Sequence, residues 1–479
     1  MVILPVFGDQ RSDSAEYLLP YTSSHTGAVL LDACFAAFHM ELLSLAPNLI
    51  HRVGICAKDF EDKVSLLCPT HDEYLCNPIV SSTRLLLIQA LHYLYPVEGF
   101  QHPLTADLNG PFAEVLQTNS HCKVGILGFS LGILTATIVA ASRSKIDFIN
   151  RVVDAYRLAF WIGLRSRLYC SNIHIFSAQD FPPWAVEIIS SDNTEVQQAL
   201  LSFNKVFLSL VFQLSPLFLS DCLIQTTGSS VFITAVIDDN TLILSGHPDD
   251  LTALEPFLPP STLINKTKVE ALYHVPSRLH VVREEVLKDV KSRDIRFPTF
   301  EELLVPLRSS FTGELIEASS LEETLVTSVV DMILLQPVNW NMVIEKLTSS
   351  ISSDLEINIF NVGTGKSAMK ALENSLSLNS IIKVRSYDLV SDDVCPTGIN
   401  VEEPVAIIGM SVNMPGAQSV DRLWDVLNRG MTTLEAVCFA PWAFLFIDRE
   451  YITDSCGSFQ CLRLHNGSDP WSKIDCSDG

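Results

Sequence analysis

Residues 128–132 read Gly128-Phe129-Ser130-Leu131-Gly132, a serine flanked on each side, two positions away, by a glycine. An apolar run, 124–127, leads into the motif, and an apolar, small-residue stretch without glycine or proline, 133–141, leads out of it. Any G-x-S-x-G can arise by chance in a chain with 21 glycines. The order strand, tight turn, helix is the context that makes such a serine a nucleophile, because the glycines let the backbone fold back sharply and the helix pack closely. The helix N-terminus leaves N–H groups without intrahelical partners, and the Leu131 N–H is the natural first donor to an oxyanion formed when Ser130 attacks a carbonyl. A general base must take the serine proton and return it, and imidazole titrates near neutrality. His274, in KVEALYHVPSRLH, follows a strand-like run and precedes Pro276 at the mouth of a helical segment, 277–290; His280, six residues on, competes with it. Gln10, in FGDQ at the end of a first apolar run, could offer a side-chain amide to the same oxyanion, or could be a helix-cap or turn residue.

These residues need elements to hold them. Residues 2–7 read as a buried strand, and 24–46 and 82–95 carry helix-spaced apolar positions, so the first part reads as α/β with a parallel sheet. In such sheets ligands gather at the carboxyl ends of the strands, where Gln10 and Ser130 both fall. From 184 onward the pattern changes to strand, helix, strand, strand, helix, with VFITAVI at 231–237 and TLILSGHP at 241–248. That is a small split α/β subdomain inserted between the nucleophile and the base. Farther on come an amphipathic helix-loop-helix, 321–347, and a late strand, 355–362, ending in Gly363-Thr364-Gly365-Lys366-Ser367. Phe360 stands where a Walker A sequence requires glycine, so these glycines read as a strand-to-helix turn.

At 479 residues the chain has room for two to four domains, and its composition, 48% hydrophobic and 18% charged, is that of a globular protein. A formal charge of -23 argues against nucleic-acid or anionic-membrane binding through bulk electrostatics. The start has no basic region, and the charge-free apolar stretch 206–219 is broken by Gln213, Ser215 and Pro216, so the expectation is a cytoplasmic protein without membrane association. Twelve cysteines without a C-x-x-C pair or a Cys/His cluster point to reduced, mainly structural thiols and no metal site.

Taken together, FGDQ (7–10), GFSLG (128–132), PPWAVEI with the helix ending FNK (182–205), SGHP (245–248), YHVPSRLH (273–280) and QPVNW (336–340) resemble the starter-unit acyltransferase (SAT) domain of fungal non-reducing iterative polyketide synthases. The chain is similar, more distantly, to bacterial malonyl-CoA:acyl carrier protein transacylases. The resemblance runs in order over residues 1 to about 385. It implies an acyltransferase fold with a large α/β-hydrolase-like parallel-sheet subdomain and a small ferredoxin-like one, about 183–260, with the site in the cleft between them. It also implies a Ser-His pair without an acidic third member: Ser130 as nucleophile, His274 as base, Gln10 and the Leu131 N–H as oxyanion hole, and Gln336 supporting the histidine. Many SAT domains carry cysteine at the position of Ser130. Malonyl-selective relatives hold an arginine on the helix after the nucleophile; here 158–163 is apolar, flanked by Arg157 and Arg165, which suits an uncharged acyl group.

The implied reaction moves an acyl group from CoA or a fatty acid synthase carrier to the phosphopantetheine thiol of an acyl carrier protein, with no permanently bound cofactor. After a polar linker, 391–402, EPVAIIGMSVNMPGAQSVDRLWDVLNRG resembles the start of a β-ketoacyl synthase, 403–437. Residues 438–479 hold four cysteines and no periodicity and are expected to be an aberrant or disordered tail of a truncated or misread product. The rivals to the transferase are an esterase or thioesterase of the α/β-hydrolase class, which would need an acid such as Asp238 or Asp249 on the histidine, and a non-functional remnant of a truncated polyketide synthase.

Overall fold

The computed structural model describes residues 2–8, 22, 24–99, 124–173, 182–214, 230–318, 320, 323–351, 356–363, 366–378 and 383–388. All of these belong to one unit, Met1–Thr397; the other, Gly398–Gly479, lies outside the described residues, as do Gln10, the linker and the synthase-like segment.

The chain opens with strand β1 (Val2–Phe7) and helices α1 (His25–Leu43), α2 (Pro47–Arg52) and α3 (Pro78–Gly99). The nucleophile segment follows as β2 (Leu127–Gly128), α4 (Gly132–Ala141) and α5 (Lys145–Ile173). Next come β3 (Ala185–Ile189), α6 (Asn193–Leu214), β4 (Val231–Val236), β5 (Thr241–Gly246), α7 (Pro248–Leu254) and β6 (Leu263–Lys266). The remainder is α8 (Pro276–Ser292), α9 (Leu325–Leu334), β7 (Val338–Asn339), α10 (Trp340–Ser350), β8 (Glu356–Val362), α11 (Lys366–Leu378) and β9 (Lys383–Asp388).

Two sheets result. The larger subdomain holds four parallel strands in the order β2-β1-β8-β9, as the α/β reading requires. Its inner strand β1 is apolar, with Leu4, Val6 and Phe7 fully buried, whereas the edge strand β9 is exposed at Lys383, Arg385 and Ser386. Helix α4 is apolar all round and every one of its residues is buried, which is the pattern of a helix enclosed on all sides. Among the described residues one helix, His25–Leu43, is long and apolar enough to cross a membrane; its Leu30, Leu31, Cys34, Phe38 and Leu42 pack in the protein core.

The smaller sheet has the order β6-β3-β5-β4-β7, antiparallel except where β7 joins β4. Strands β3, β4, β5 and β6 with helices α6 and α7 form the split βαββαβ arrangement of a ferredoxin-like subdomain. It reaches Lys266 at one edge, past residue 260, and at the other edge it borrows Val338–Asn339 from a distant part of the chain. Its own core is Val186, Ile188, Val196, Leu200, Leu242 and Leu244 with their neighbours.

Candidate active site

At the carboxyl end of β2 the chain turns sharply. The Phe129 N–H still donates to the Phe7 carbonyl at 2.8 Å, after which Ser130 adopts φ 54° and the Gly132 N–H closes onto the Phe129 carbonyl at 3.0 Å. Both glycines are obligatory. A Cβ on Gly128 would lie 2.4 Å from the Ile133 Cα, and one on Gly132 would lie 2.4 Å from the Gly8 oxygen and 2.5 Å from the Phe7 oxygen. The turn can form only because nothing projects there. The Leu131 N–H, at the head of α4, donates no hydrogen bond among the described residues, so it is available to an incoming oxygen.

His274 reaches this turn from 144 positions away in sequence, with Ser130 Oγ 2.7 Å from His274 Nε2. It too has positive φ, 60°; among the described residues only Ser130, His274 and Asp294 combine a side chain with that conformation. Such backbone costs on the order of 1–3 kcal/mol per residue and persists where surrounding structure enforces it. The enforcement is visible. The C-terminal end of α9 has main-chain carbonyls with no partner inside the helix. Ile333 O accepts from the His274 N–H at 3.1 Å and Leu334 O from the Val275 N–H at 2.8 Å. Met332 O lies 3.0 Å and Gln336 O 2.8 Å from His274 Nδ1. Two carbonyl acceptors place the proton on Nδ1 and leave the Nε2 lone pair facing Ser130 Oγ. A helix C-terminus also favours the cation that forms when Nε2 takes the serine proton.

Gln336, expected beside the histidine, is there, but its main-chain oxygen makes the contact. His280 is exposed on α8, whereas His274 is the histidine that lies 2.7 Å from Ser130 Oγ. Asp238 belongs to the β4–β5 turn, where its carbonyl accepts from Asn193, and Asp249 lies 3.6 Å from His247. The esterase rival therefore gains no acid from either. No signal in the sequence marks Met332 or the end of α9, because a carbonyl carries no residue type; Pro337, just beyond the helix, is the one hint.

The pair opens into a cavity of about 60 Å³ between the two sheets. Phe129, Leu131 and Tyr273 line it from the large subdomain, and Ala235, Ile243 and Val269 are among the apolar residues facing them. The hydroxyls of Thr234 and Ser245 lie 2.7 Å apart in its wall. The arginines flanking 158–163 do not line it. Arg157 is bound to Glu41 at 2.6 Å and Arg165 to Asp289 at 2.6 Å, while residues 158–164 are buried core. Arg167 is paired with Glu270 at 3.0 Å, both buried. Burial pushes the Glu270 carboxyl up to about 7, with the guanidinium pulling the other way, and lowers Arg167.

Residues 5–209 match the family model described as "Starter unit:ACP transacylase in aflatoxin biosynthesis", a span that includes the Ser130 turn. The chain carries a starter-unit acyltransferase domain. Relatives of the SAT-bearing chain include Orsellinic acid synthase armB of Armillaria mellea, 37% identical over 450 residues that make up 91% of this chain and 19% of that protein. Non-reducing polyketide synthase 1 of Elsinoe fawcettii is 25% identical over 366 residues, 74% of this chain and 15% of that protein. The chain thus spans less than a fifth of the length of these curated relatives. Among solved structures, MCAT from Mycobacterium tuberculosis matches with a TM-score of 0.53 at 13% identity, covering 82% of this chain and 98% of that one. The SAT domain has the acyltransferase fold.

Proposed function

We propose that the chain moves an uncharged acyl group from a thioester donor, CoA or a fatty acid synthase carrier, onto the phosphopantetheine thiol of an acyl carrier protein, to start polyketide synthesis. The observation that carries the reading is the 2.7 Å contact of Ser130 Oγ with a His274 held by main-chain carbonyls at the end of a helix, Ser130 lying within the family match, 5–209, that names an acyl carrier protein.

In the first half-reaction the Ser130 proton passes to His274 Nε2 as Oγ bonds to the thioester carbonyl carbon. The oxyanion faces the Leu131 N–H, and Gln10 is the second donor in this proposal; loss of one such donor costs on the order of 2.7–4 kcal/mol. The C–S bond then breaks and the leaving sulfur takes the proton from Nε2, leaving an acyl-serine. In the second half-reaction Nε2 takes the proton of the carrier thiol, sulfur attacks the ester, and Ser130 recovers its proton as the C–O bond breaks. With Arg157 and Arg165 engaged by Glu41 and Asp289, no guanidinium of that helix segment faces the cavity to pair with a substrate carboxylate. A charged acyl group buried there would be strongly disfavoured.

The second segment fits the same setting. An alignment covering 91% of the chain necessarily runs past residue 403, which supports reading 403–437 as the beginning of a β-ketoacyl synthase.

Incubation of the full chain with a panel of acyl-CoAs, with malonyl-CoA among them, followed by intact mass and peptide mapping, tests the reading. The expected result is one acyl group on Ser130 from uncharged donors, weak labelling from malonyl-CoA, and transfer to a holo carrier protein faster than release of free acid. Labelling that persists in Ser130→Ala, or free acid as the main product, overturns it.

A further inference from the structure

Helix α3 is apolar where it packs against α5 and α4, with Leu85, Leu86, Leu87, Ile88 and Leu91 all buried. In the middle of that run stands Gln89, with no exposed surface at all. A buried primary amide is costly unless both of its ends are bonded. Here both are: Nε2 donates to the Gly8 carbonyl at 2.8 Å, and Oε1 accepts from Thr135 Oγ1 at 2.6 Å. The partners fix the amide's orientation, since a carbonyl can only accept and Thr135 supplies the hydroxyl proton. Thr135 is itself buried, on α4, three residues after Gly132.

Gly8 is where β1 ends. Its N–H still reaches the Val362 carbonyl at 3.3 Å, and its own carbonyl oxygen is the atom that a Cβ on Gly132 would approach to 2.4 Å. That oxygen is therefore held between the backbone of the nucleophile turn and the Gln89 amide. It precedes Gln10 by two residues. An apolar pair at positions 89 and 135 would fill the same space but leave the buried Gly8 carbonyl without this donor, so the bridge ties the end of β1 to α4.

We infer that Gln89, locked by Thr135, is a positioning residue for acyl transfer. By fixing the Gly8 carbonyl it holds the end of β1 against the Ser130 turn, so that the Ser130 hydroxyl and the Leu131 N–H keep their spacing. This rests on the transferase reading. Gln89 touches no substrate and acts through Gly8.

The test is single-turnover acylation of Ser130 by hexanoyl-CoA in the full chain, followed by intact mass across pH, in Gln89→Met, Thr135→Val and Thr135→Ser. The same variants are then labelled with a fluorophosphonate, whose phosphoryl oxygen draws on the same donors. Misplacement on the ångström scale can cost up to about a hundredfold, so Gln89→Met should lower the maximal acylation rate at least about tenfold. Thr135→Val should lower it by a smaller factor, and Thr135→Ser, which keeps the hydroxyl, should restore it. The half-saturating thioester concentration and the midpoint of the pH profile should stay at their wild-type values, because neither binding nor His274 is altered. Fluorophosphonate labelling should fall in parallel. Wild-type rates in Gln89→Met and Thr135→Val overturn the inference, as does equal loss in Thr135→Val and Thr135→Ser, or a displaced pH midpoint. If Gln89→Met does not fold, the Thr135 pair decides. If the wild-type chain accepts no acyl group from any thioester, the transferase reading fails while the fluorophosphonate rates still decide the role of Gln89.

Discussion

Ser130 and His274 are two side chains on strained backbone, and each strain has a visible source. At Ser130 the source is the absence of Cβ atoms on either side. Gly132→Ala would press a methyl group against the Gly8 and Phe7 oxygens, which are main-chain atoms that cannot swing aside. We expect a loss of at least about 1–3 kcal/mol in chemical denaturation, together with loss of Ser130 acylation. At His274 the source is the pair of carbonyls on Nδ1, and this makes an unusual prediction for Gln336. Gln336→Ala keeps the main-chain oxygen and should acylate within about threefold of wild type, since the side chain carries none of the contact. His274→Ala should lose about 10²–10⁴-fold, the contribution of a positioned general base. Single-turnover rates of the two variants side by side check this.

Among the elements, α9 holds the histidine at Nδ1, the atom that a carboxylate would meet in a hydrolase triad. Its last carbonyls bind both the imidazole and the backbone that presents it. The loop leading to His274 is also tied to α5, by the Arg167–Glu270 pair and by the Leu272 N–H on the Cys170 sulfur at 3.3 Å. The carboxyl of Glu270 holds its proton in the folded protein up to about pH 7, above its ordinary 4.5, because burial outweighs the nearby guanidinium. Between those values the folded state binds more protons than the unfolded one, so the stability this group contributes is complete below pH 4.5, falls as pH rises, and is gone above pH 7. Glu270→Gln should therefore show a flatter dependence of melting temperature on pH across that window than wild type. An unchanged slope would contradict this assignment of the proton.

For the whole molecule, the site exists because two sheets with separate cores face each other across one small cavity. Ile243, on β5, is only partly buried where it lines that cavity, so a larger residue there intrudes on substrate more than on the core. Ile243→Trp should slow acylation by at least about tenfold, more for longer acyl chains than for acetyl, with the melting temperature close to wild type. Acylation rates over a series of acyl-CoAs of increasing length check it. Equal rates along the series would mean that the acyl chain lies elsewhere.

The amino-acid sequence alone determined the strand-turn-helix around Ser130, the need for Gly128 and Gly132, the alternation that makes a parallel sheet, and the inserted βαββα pattern. Each of these is local: it depends on backbone conformations and periodicities that neighbouring residues set among themselves. The choice of His274 over His280, the capture of Arg157 and Arg165 by Glu41 and Asp289, the edge strands β6 and β7, and the bridge from Gln89 to Gly8 were decided only by tertiary packing. They join residues that are far apart along the chain, and several use main-chain carbonyls, which every residue has and no sequence pattern distinguishes.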